Sequence, residues 1–180
     1  MKELKQFPTT DYNKFPQKYY FESVAKNIIR IASLKSTNKT ILDFGCGQKI
    51  FSKILKNKKI INYDSKPEYT ECETYENLYF DIVIFNHVLM YMHPNEIENL
   101  LDKIKKLNPN CEIILSLGKQ NIISKIAMYL TFNLDYHEDI RSTYKEQIEI
   151  FLKKTILIKK KLNIFYMTDI YYSKFKDDIR

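Results

Sequence analysis

Residues 41–47 read Ile41-Leu42-Asp43-Phe44-Gly45-Cys46-Gly47 and give the strongest indication of architecture in this chain. A short apolar run predicts a buried β-strand, and the glycines that stop it predict a tight turn. The chain has only three glycines, and two of them stand here. Because glycine lacks a Cβ atom, the main chain can turn sharply and a ligand can lie against it. The segment therefore predicts a strand that ends at a binding loop.

Apolar runs and helical periodicities alternate on both sides of this loop. The predicted strands are 40–44, 60–63, 80–85 and 111–117, and the predicted helices are 20–35, 51–55, 94–104 and 142–154. Two β-rich runs, 155–165 and 168–175, are close enough to form a hairpin. Largely apolar strands that alternate with helices indicate an α/β fold. We expect a mostly parallel sheet covered on both faces, with an antiparallel C-terminal hairpin.

The composition is typical of one globular domain. At 180 residues, 44% of them hydrophobic, the chain can bury a core without disulfide bonds or a metal. We expect a single domain over residues 1–180, with residues 1–19 as an irregular arm. No stretch reaches the roughly 18 apolar residues of a membrane span, and the polar N-terminus lacks the apolar core of a signal peptide. The sequence therefore predicts a cytoplasmic protein with no membrane partner, and it leaves the oligomeric state open.

The charge of the chain is uneven. The net charge is +7, and the excess of lysine and arginine lies in residues 1–40 and 151–180, around a slightly acidic middle. Basic ends suit an anionic substrate or a nucleic acid, but they also suit a solvated, lysine-rich surface. The three cysteines are far apart and show no spacing typical of metal ligands, so we expect reduced thiols and no metal site.

Polar residues follow the predicted strands at the ends where the sheet should bind a ligand. Asp43 and the two glycines end the first strand, Asp64 ends the second, and Asn86 and His87 end the third. In an open α/β sheet, ligands bind outside the carboxyl ends of the strands, where the strand order reverses. Asp64 stands about 20 residues beyond the glycines, the usual distance for a carboxylate that accepts ribose hydroxyls. These residues predict a nucleoside site.

Four segments resemble the motifs of the Rossmann-like S-adenosylmethionine-dependent methyltransferases, in the right order. Residues 41–47 resemble the first motif of that family, and residues 80–89 resemble its fourth-strand motif. Residues 107–117 are similar to the turn and strand that follow, and residues 137–154 to the segment that leads into the last helix. The resemblance covers roughly residues 20–175 and implies a Rossmann-like three-layer sandwich with S-adenosylmethionine as the cofactor.

The resemblance also implies roles for particular residues. The first motif, with Asp43, would hold the cofactor, and Gly45, Cys46 and Gly47 would lie along its methionine part and ribose. Asp64 would hold the ribose hydroxyls, with Ser65 beside it. Glu73 stands near the place where the family has an acid facing the adenine amino group, and Asn86 would close the pocket near the sulfonium. For Asp64 the competing interpretation is a turn aspartate before Ser65-Lys66-Pro67.

Two histidines are candidates for a general base. Methyl transfer is an in-line displacement, in which the enzyme aligns the reactants and sometimes removes a proton. His87 is the first candidate, because it follows the strand next to the reacting centre. His137 precedes the last large helix, on the substrate side of the fold that the resemblance implies. Each of them could instead be a packed or solvent-facing histidine.

Two departures from the family pattern leave the function open. Lys49 stands where the family often has a third glycine, and lysine would cost roughly 1–2 kcal/mol there if the position needs a positive φ. Only the 16 residues 65–80 lie between Asp64 and Asp81, so the helix expected between them is missing or very short. The leading hypothesis is an enzyme that methylates a small molecule or an RNA. The alternative is a non-catalytic cofactor- or RNA-binding module with a degenerate methyltransferase fold.

Overall fold

The computed structural model describes residues 17–56, 58–130 and 140–177. Its helices are α1 (Gln17–Ile31), α2 (Ile50–Ile54), α3 (Pro94–Leu107), α4 (Ile122–Leu130) and α5 (Tyr144–Lys154), with a 3₁₀ turn over Leu89–Tyr91. Its strands are β1 (Ile41–Phe44), β2 (Ile60–Tyr63), β3 (Ile82–Asn86), β4 (Glu112–Gly118), β5 (Thr155–Ile164) and β6 (Thr168–Phe175).

The six strands form one sheet in the order β2-β1-β3-β4-β6-β5. The first four are parallel, whereas β6 pairs antiparallel with both β4 and β5. β1 lies between β2 and β3, so the chain leaves β1 toward one edge of the sheet and later returns to its other side. This reversal places the carboxyl ends of β1, β2 and β3 around one crevice, where ligands bind in such sheets.

The two faces of the sheet carry separate hydrophobic cores. Because successive strand residues point to opposite faces, Ile41 packs on one face and Leu42 on the other. Residues of α1 and α2 cover the face of Ile41, and residues of α3 and α5 cover the face of Leu42. The result is a three-layer α/β sandwich, which confirms the predicted fold class.

The six predicted strands are present, as are the helices predicted near α1, α2, α3 and α5. The segment between Tyr63 and Ile82 contains neither a helix nor a strand, as the short spacing predicted. α1 begins at Gln17, so the last three residues of the predicted arm are helical; residues 1–16 lie outside the described part. Among the described residues, no helix is long and apolar enough to cross a bilayer.

Helix α4 was not predicted, because its sequence has apolar residues on several sides. It begins where Asn121 and Ser124 bond to each other reciprocally. The Ser124 N–H donates to Asn121 Oδ1 at 2.9 Å, and the Asn121 N–H donates to Ser124 Oγ at 3.0 Å. This exchange satisfies two N–H groups at the helix start, which would otherwise lack partners.

Candidate cofactor site at the carboxyl ends of the parallel strands

The loop after β1 has the conformation that its glycines predict. Gly45 has φ +75° and Gly47 has φ +45°, both in the left-handed region that favours glycine. The N–H groups of Gly45 and Cys46 both donate to Tyr63 O, at 2.8 and 3.1 Å, which fixes the loop to the end of β2. A Cβ atom on Gly45 would lie 2.5 Å from Cγ2 of Val88. The glycine is therefore needed for chain packing as well as for the turn.

Asp64 contacts this loop and is partly exposed to solvent. Its Oδ2 accepts the N–H of Gly47 at 2.9 Å, and its Oδ1 accepts the N–H of Lys66 at 3.0 Å. Each carboxylate oxygen has more than one lone pair, so both can still accept a hydroxyl proton. Asp64 therefore acts as a turn aspartate, and its carboxylate lies beside the glycine loop at the carboxyl end of β2. Ser65, the next residue, is exposed.

Asp43 is a buried carboxyl group with an unpaired oxygen. It is 1% exposed, and its Oδ2 has no hydrogen-bond partner among the described residues. Burial and, second, the nearby Asp64 raise the pKa of Asp43 to about 8. Both effects disfavour the carboxylate form, so a cation bound here would stabilise it. Buried polar groups without partners are rare in folded proteins, and such a group needs an explanation.

Lys49 has a left-handed backbone, with φ 56° and ψ 47°, so its position does require a positive φ. Its ammonium group lies 2.8 Å from Oε1 of Glu71, and Oε2 of Glu71 accepts from Asn62 Nδ2 at 2.7 Å. The bonds from Lys49 and Asn62 lower the pKa of Glu71. Glu71 thus holds the loop after β2 against the start of α2. Glu73 is exposed and has no hydrogen-bond or ion-pair partner among the described residues.

An open groove of about 620 Å³ runs beside the glycine loop. The residues that line it are Gly47, Gln48, Lys49, Ser52, Lys53, Lys56 and Tyr69. Gly47 therefore lines an open groove, and none of the described residues fills the space beside it. Cys46 is buried instead, and its thiol donates to Tyr69 O at 3.4 Å. Burial raises the pKa of this thiol, which makes it an unreactive part of the loop wall.

Asn86 is positioned by Ser116, which lies opposite it on β4. The Ser116 hydroxyl donates to Asn86 Oδ1 at 2.7 Å, and Ser116 Oγ accepts the N–H of His87 at 3.1 Å. Ser116 is fully buried, whereas Asn86 is half-buried. The two residues connect β3 and β4 through side chains just where the main-chain pairing ends.

His87 is packed against two other elements of the fold, α1 and β6. Its φ of 57° is left-handed, and its Nε2 lies 3.1 Å from Oγ1 of Thr168, which also bonds the Tyr20 hydroxyl. The rings of Tyr20 and Phe21 contact the imidazole edge-on, at centroid distances of 6.2 and 6.0 Å. Burial lowers the pKa of His87 to about 4, so the ring is neutral at pH 7 and is a weak base.

The structure thus brings seven of the predicted site residues to one edge of the sheet. They are Asp43, Gly45, Cys46, Gly47, Asp64, Asn86 and His87. Ser65 and Glu73 lie on the following loop and face solvent, and His137 lies outside the described residues. The described ranges contain no cluster of three or more side chains that could hold a metal ion.

Three residues of this edge were not predicted from the sequence: Glu71, Ser116 and Thr168. Ser116 is polar within the apolar run 111–117, which was the available signal. No sequence signal marked Glu71 or Thr168, because their partners are 22 and 81 residues away along the chain.

The strand order, the reversal at β1 and the acid–glycine loop define a Rossmann-like α/β enzyme of the kind that binds a nucleoside cofactor. The family described as methyltransferase domain matches residues 17–143, which is more than half of the chain. The chain belongs to this family. The predicted enzyme class and the resemblance on which it rested are therefore confirmed.

Solved structures show the same fold. The PH0226 protein from Pyrococcus horikoshii has a TM-score of 0.68 at 11% identity, over 93% of this chain and 95% of that one. The N-methyltransferase NodS from Bradyrhizobium japonicum, solved with S-adenosylhomocysteine, has a TM-score of 0.63 at 11% identity, over 92% and 91%. The 1,6-didemethyltoxoflavin-N1-methyltransferase from Burkholderia thailandensis, with its substrate and S-adenosylhomocysteine, has a TM-score of 0.61 at 15% identity, over 89% and 81%.

These likenesses establish the fold, and the fold binds S-adenosylmethionine or its demethylated product. The predicted cofactor is confirmed at this level. A comparison with curated protein sequences finds no match.

Proposed function

We propose that this chain transfers a methyl group from S-adenosylmethionine, bound over residues 43–47 and Asp64, to a small-molecule acceptor. The observation that carries the proposal is the contact between Asp64 Oδ2 and the Gly47 N–H, at 2.9 Å. It places a carboxylate beside an accessible glycine loop, at the point where the strand order reverses. We further propose that the whole chain forms one domain, since β5 and β6 complete the sheet that β1 begins.

The charges at this edge fit the cofactor. S-adenosylmethionine carries a positive sulfonium and a positive ammonium group, and its sulfonium methyl is the group to be transferred. Asp43 offers a buried oxygen without a partner among the described residues, and Asp64 offers a second carboxylate nearby. A bound cation would satisfy the unpaired oxygen of Asp43 and favour its ionised form.

The other residues would orient the cofactor and exclude water. Gly45, Cys46 and Gly47 would lie along its methionine part and ribose, and Asp64 would accept the ribose hydroxyls. Asn86 would close the pocket near the sulfonium. Glu73 and Ser65 are exposed, so their proposed roles near the adenine and the ribose require the loop after β2 to close over the ligand.

An acceptor that loses a proton on methylation needs a general base. His87 remains the first candidate by position, but its ring is hydrogen-bonded to Thr168 and neutral at pH 7. His137, outside the described residues, is the second. A small acceptor is favoured because the Burkholderia enzyme, with the same fold, acts on the small molecule for which it is named. The lysines of the groove beside Gly47 favour RNA as the second acceptor class.

The first test is calorimetric titration with S-adenosylmethionine and S-adenosylhomocysteine. We expect micromolar binding to the wild type and at least about tenfold weaker binding to Asp64→Ala. A charge-assisted hydrogen bond contributes roughly 1.5–3 kcal/mol, which corresponds to that loss. Asp64→Asn, which keeps one acceptor oxygen, should lie between the two. Glu68→Gln is the matched control, because Glu68 is an exposed acid on the same loop.

Equal affinity of wild type and Asp64→Ala would overturn the proposed site. The non-catalytic alternative is separated by incubation with labelled S-adenosylmethionine and a cell extract. Label in a small molecule or an RNA supports the enzyme. Tight cofactor binding with no label in any fraction supports a binding module, which the strained backbone of Lys49 would suit.

A further inference from the structure

The hydrogen bonds around Ser116 fix which way the amide of Asn86 points. Ser116 Oγ already accepts the His87 N–H, and its own proton is donated to Asn86 Oδ1. If the amide were reversed, the Ser116 hydroxyl would face two donors, and its buried proton would lose Asn86 Oδ1 as its acceptor. An unsatisfied buried hydroxyl is unfavourable, so the observed orientation is the stable one.

The amide nitrogen of Asn86 is consequently left as a donor at the edge of the crevice. Nδ2 has no hydrogen-bond partner among the described residues, and it is not buried. It carries two N–H groups and no lone pair to offer. Such a group suits an acceptor atom such as a carboxylate oxygen, and it does not suit an amine that must present its own N–H groups.

The neighbours of Asn86 offer little help in removing a proton. The His87 imidazole is held through Nε2 by Thr168 and enclosed by the rings of Tyr20 and Phe21. Asp43, on the adjacent strand, is assigned to the cofactor in the function proposed above. An acceptor that is already ionised at neutral pH needs no base, and carboxylic acids, with pKa values of about 4, meet that condition.

We propose that the methyl acceptor is a carboxylate held by the Asn86 amide, that Ser116 is the positioning residue for this contact, and that the product is a methyl ester. This inference rests on the proposed function and names its substrate class. One carboxylate oxygen forms the new C–O bond while the other accepts from Asn86. The C–S bond breaks, its electron pair stays on sulfur, and no proton is transferred.

The chemistry of the transferred label tests the substrate class. The wild type is incubated with S-adenosylmethionine labelled in its methyl group and an extract of the cells the protein comes from, and the products are treated with mild alkali. We expect most of the transferred label to be released as volatile methanol, as a methyl ester requires. Label that stays alkali-stable would overturn this inference but not the methyltransferase activity. Absence of label from every fraction would overturn both.

Variants test the role of Ser116. Ser116→Ala should lower ester formation about five- to tenfold. Its affinity for S-adenosylhomocysteine should stay within about twofold of the wild type, and this retained binding shows that the variant is folded. Asn86→Asp should lower ester formation about 100-fold, because a carboxylate would face the carboxylate acceptor. Ser173→Ala is the matched control, since Ser173 is a buried strand serine whose hydroxyl has no partner among the described residues.

A spectroscopic measurement separates positioning from a general loss of structure. The side-chain amide signals of Asn86 in ¹⁵N spectra are identified by their loss in Asn86→Asp. They should shift in Ser116→Ala and stay in place in Ser173→Ala. Unchanged ester formation in Ser116→Ala would show that Ser116 does not position the acceptor contact.

Discussion

Two buried aspartates, one in each half of the sheet, have opposite surroundings. Asp43 lies near the carboxyl end of β1, and Asp169 lies on β6, opposite Leu117 of β4. They are 1% and 0% exposed. Asp169 has a partner for each oxygen. Oδ1 meets Asn163 Nδ2 at 2.8 Å and Lys119 Nζ at 3.2 Å, and Oδ2 accepts from the Tyr144 hydroxyl at 2.5 Å.

The difference separates a structural carboxylate, Asp169, from a candidate binding carboxylate, Asp43. Asp169 connects β5, β6, α5 and the residue that follows β4, and its charge is compensated within the protein. Asp43 is just as buried, but its Oδ2 lacks any partner among the described residues. A buried group that the fold leaves unsatisfied is the better candidate for contact with a ligand, because the ligand can supply the missing partner.

The largest effect should come from removing the compensated carboxylate. Asp169→Ala removes a buried carboxylate that bonds Asn163, Lys119 and Tyr144. The Lys119 ammonium stays partly exposed, and the Tyr144 hydroxyl keeps Tyr171 as a partner. We expect the free energy of unfolding, measured by urea denaturation, to fall by about 3–5 kcal/mol, because several hydrogen bonds to a buried charged group are lost together. Glu149→Ala is the control, since it breaks an exposed pair with Lys145 and should cost less than about 1 kcal/mol. Similar losses in the two variants would remove the contrast drawn here.

A smaller effect of opposite sign is expected at Asp43. The pKa of this carboxyl is about 8 in the folded protein, against about 3.9 in an unfolded chain. Between these values the folded state keeps a proton that the unfolded state has released, so stability falls as the pH rises. The loss is about 1.4 kcal/mol per pH unit. It disappears below the unfolded pKa, where both states are protonated.

The measurement compares wild type with Asp43→Asn at pH 5.5 and 7.5. The asparagine variant lacks the titrating group, so its advantage in free energy of unfolding should grow by up to about 3 kcal/mol over this interval. Its affinity for S-adenosylmethionine should fall at the same time, because the neutral amide cannot pair with a cation. A constant difference between the two proteins at both pH values would show that Asp43 is ionised throughout, and the proposed contrast with Asp169 would fail.

The strands, and the residues that follow them at the carboxyl ends of the sheet, could be predicted from the sequence because their signals are local. The apolar run that ends at Gly45 and Gly47 gave the first strand and its loop, and the spacing to Asp64 gave the second carboxylate. Parallel strands end at the same edge, so residues that follow them must come together. The short distance from Asp64 to Asp81 also predicted the absence of a helix between them, and the structure confirms it.

The partners of the site residues could not be predicted, since they depend on pairing between distant strands. Ser116 meets Asn86 because β3 and β4 are in that register, and Thr168 meets His87 because β6 returns antiparallel to β4. The resemblance implied a role for Glu73 near the adenine, and it gave no indication that Glu71 pairs with Lys49. The direction of each side chain on this loop could not be predicted, because no periodicity constrains a loop.

The smallest expected effect concerns backbone strain, which both halves of the molecule contain. Lys49 beside the glycine loop has φ 56°, and Tyr166 in the turn between β5 and β6 has φ 57°. A residue with a Cβ atom costs roughly 1–2 kcal/mol in the left-handed region, and glycine avoids this cost. Part of the gain is offset because glycine has greater conformational freedom in the unfolded chain. At either position the glycine variant should therefore be more stable than the alanine variant by roughly 0.5–1 kcal/mol in urea denaturation.

The two positions should differ in cofactor binding. Lys49→Ala and Lys49→Gly both break the ion pair with Glu71, which holds the loop after β2 against α2. We expect their affinity for S-adenosylhomocysteine to fall about two- to fivefold, as for the loss of a surface ion pair of up to about 1 kcal/mol. Tyr166→Ala and Tyr166→Gly should bind as the wild type does. If all four variants bound S-adenosylhomocysteine equally well, the ion pair of Lys49 would affect only the stability of the loop. Lys49 would then resemble Tyr166, whose position affects stability and not binding.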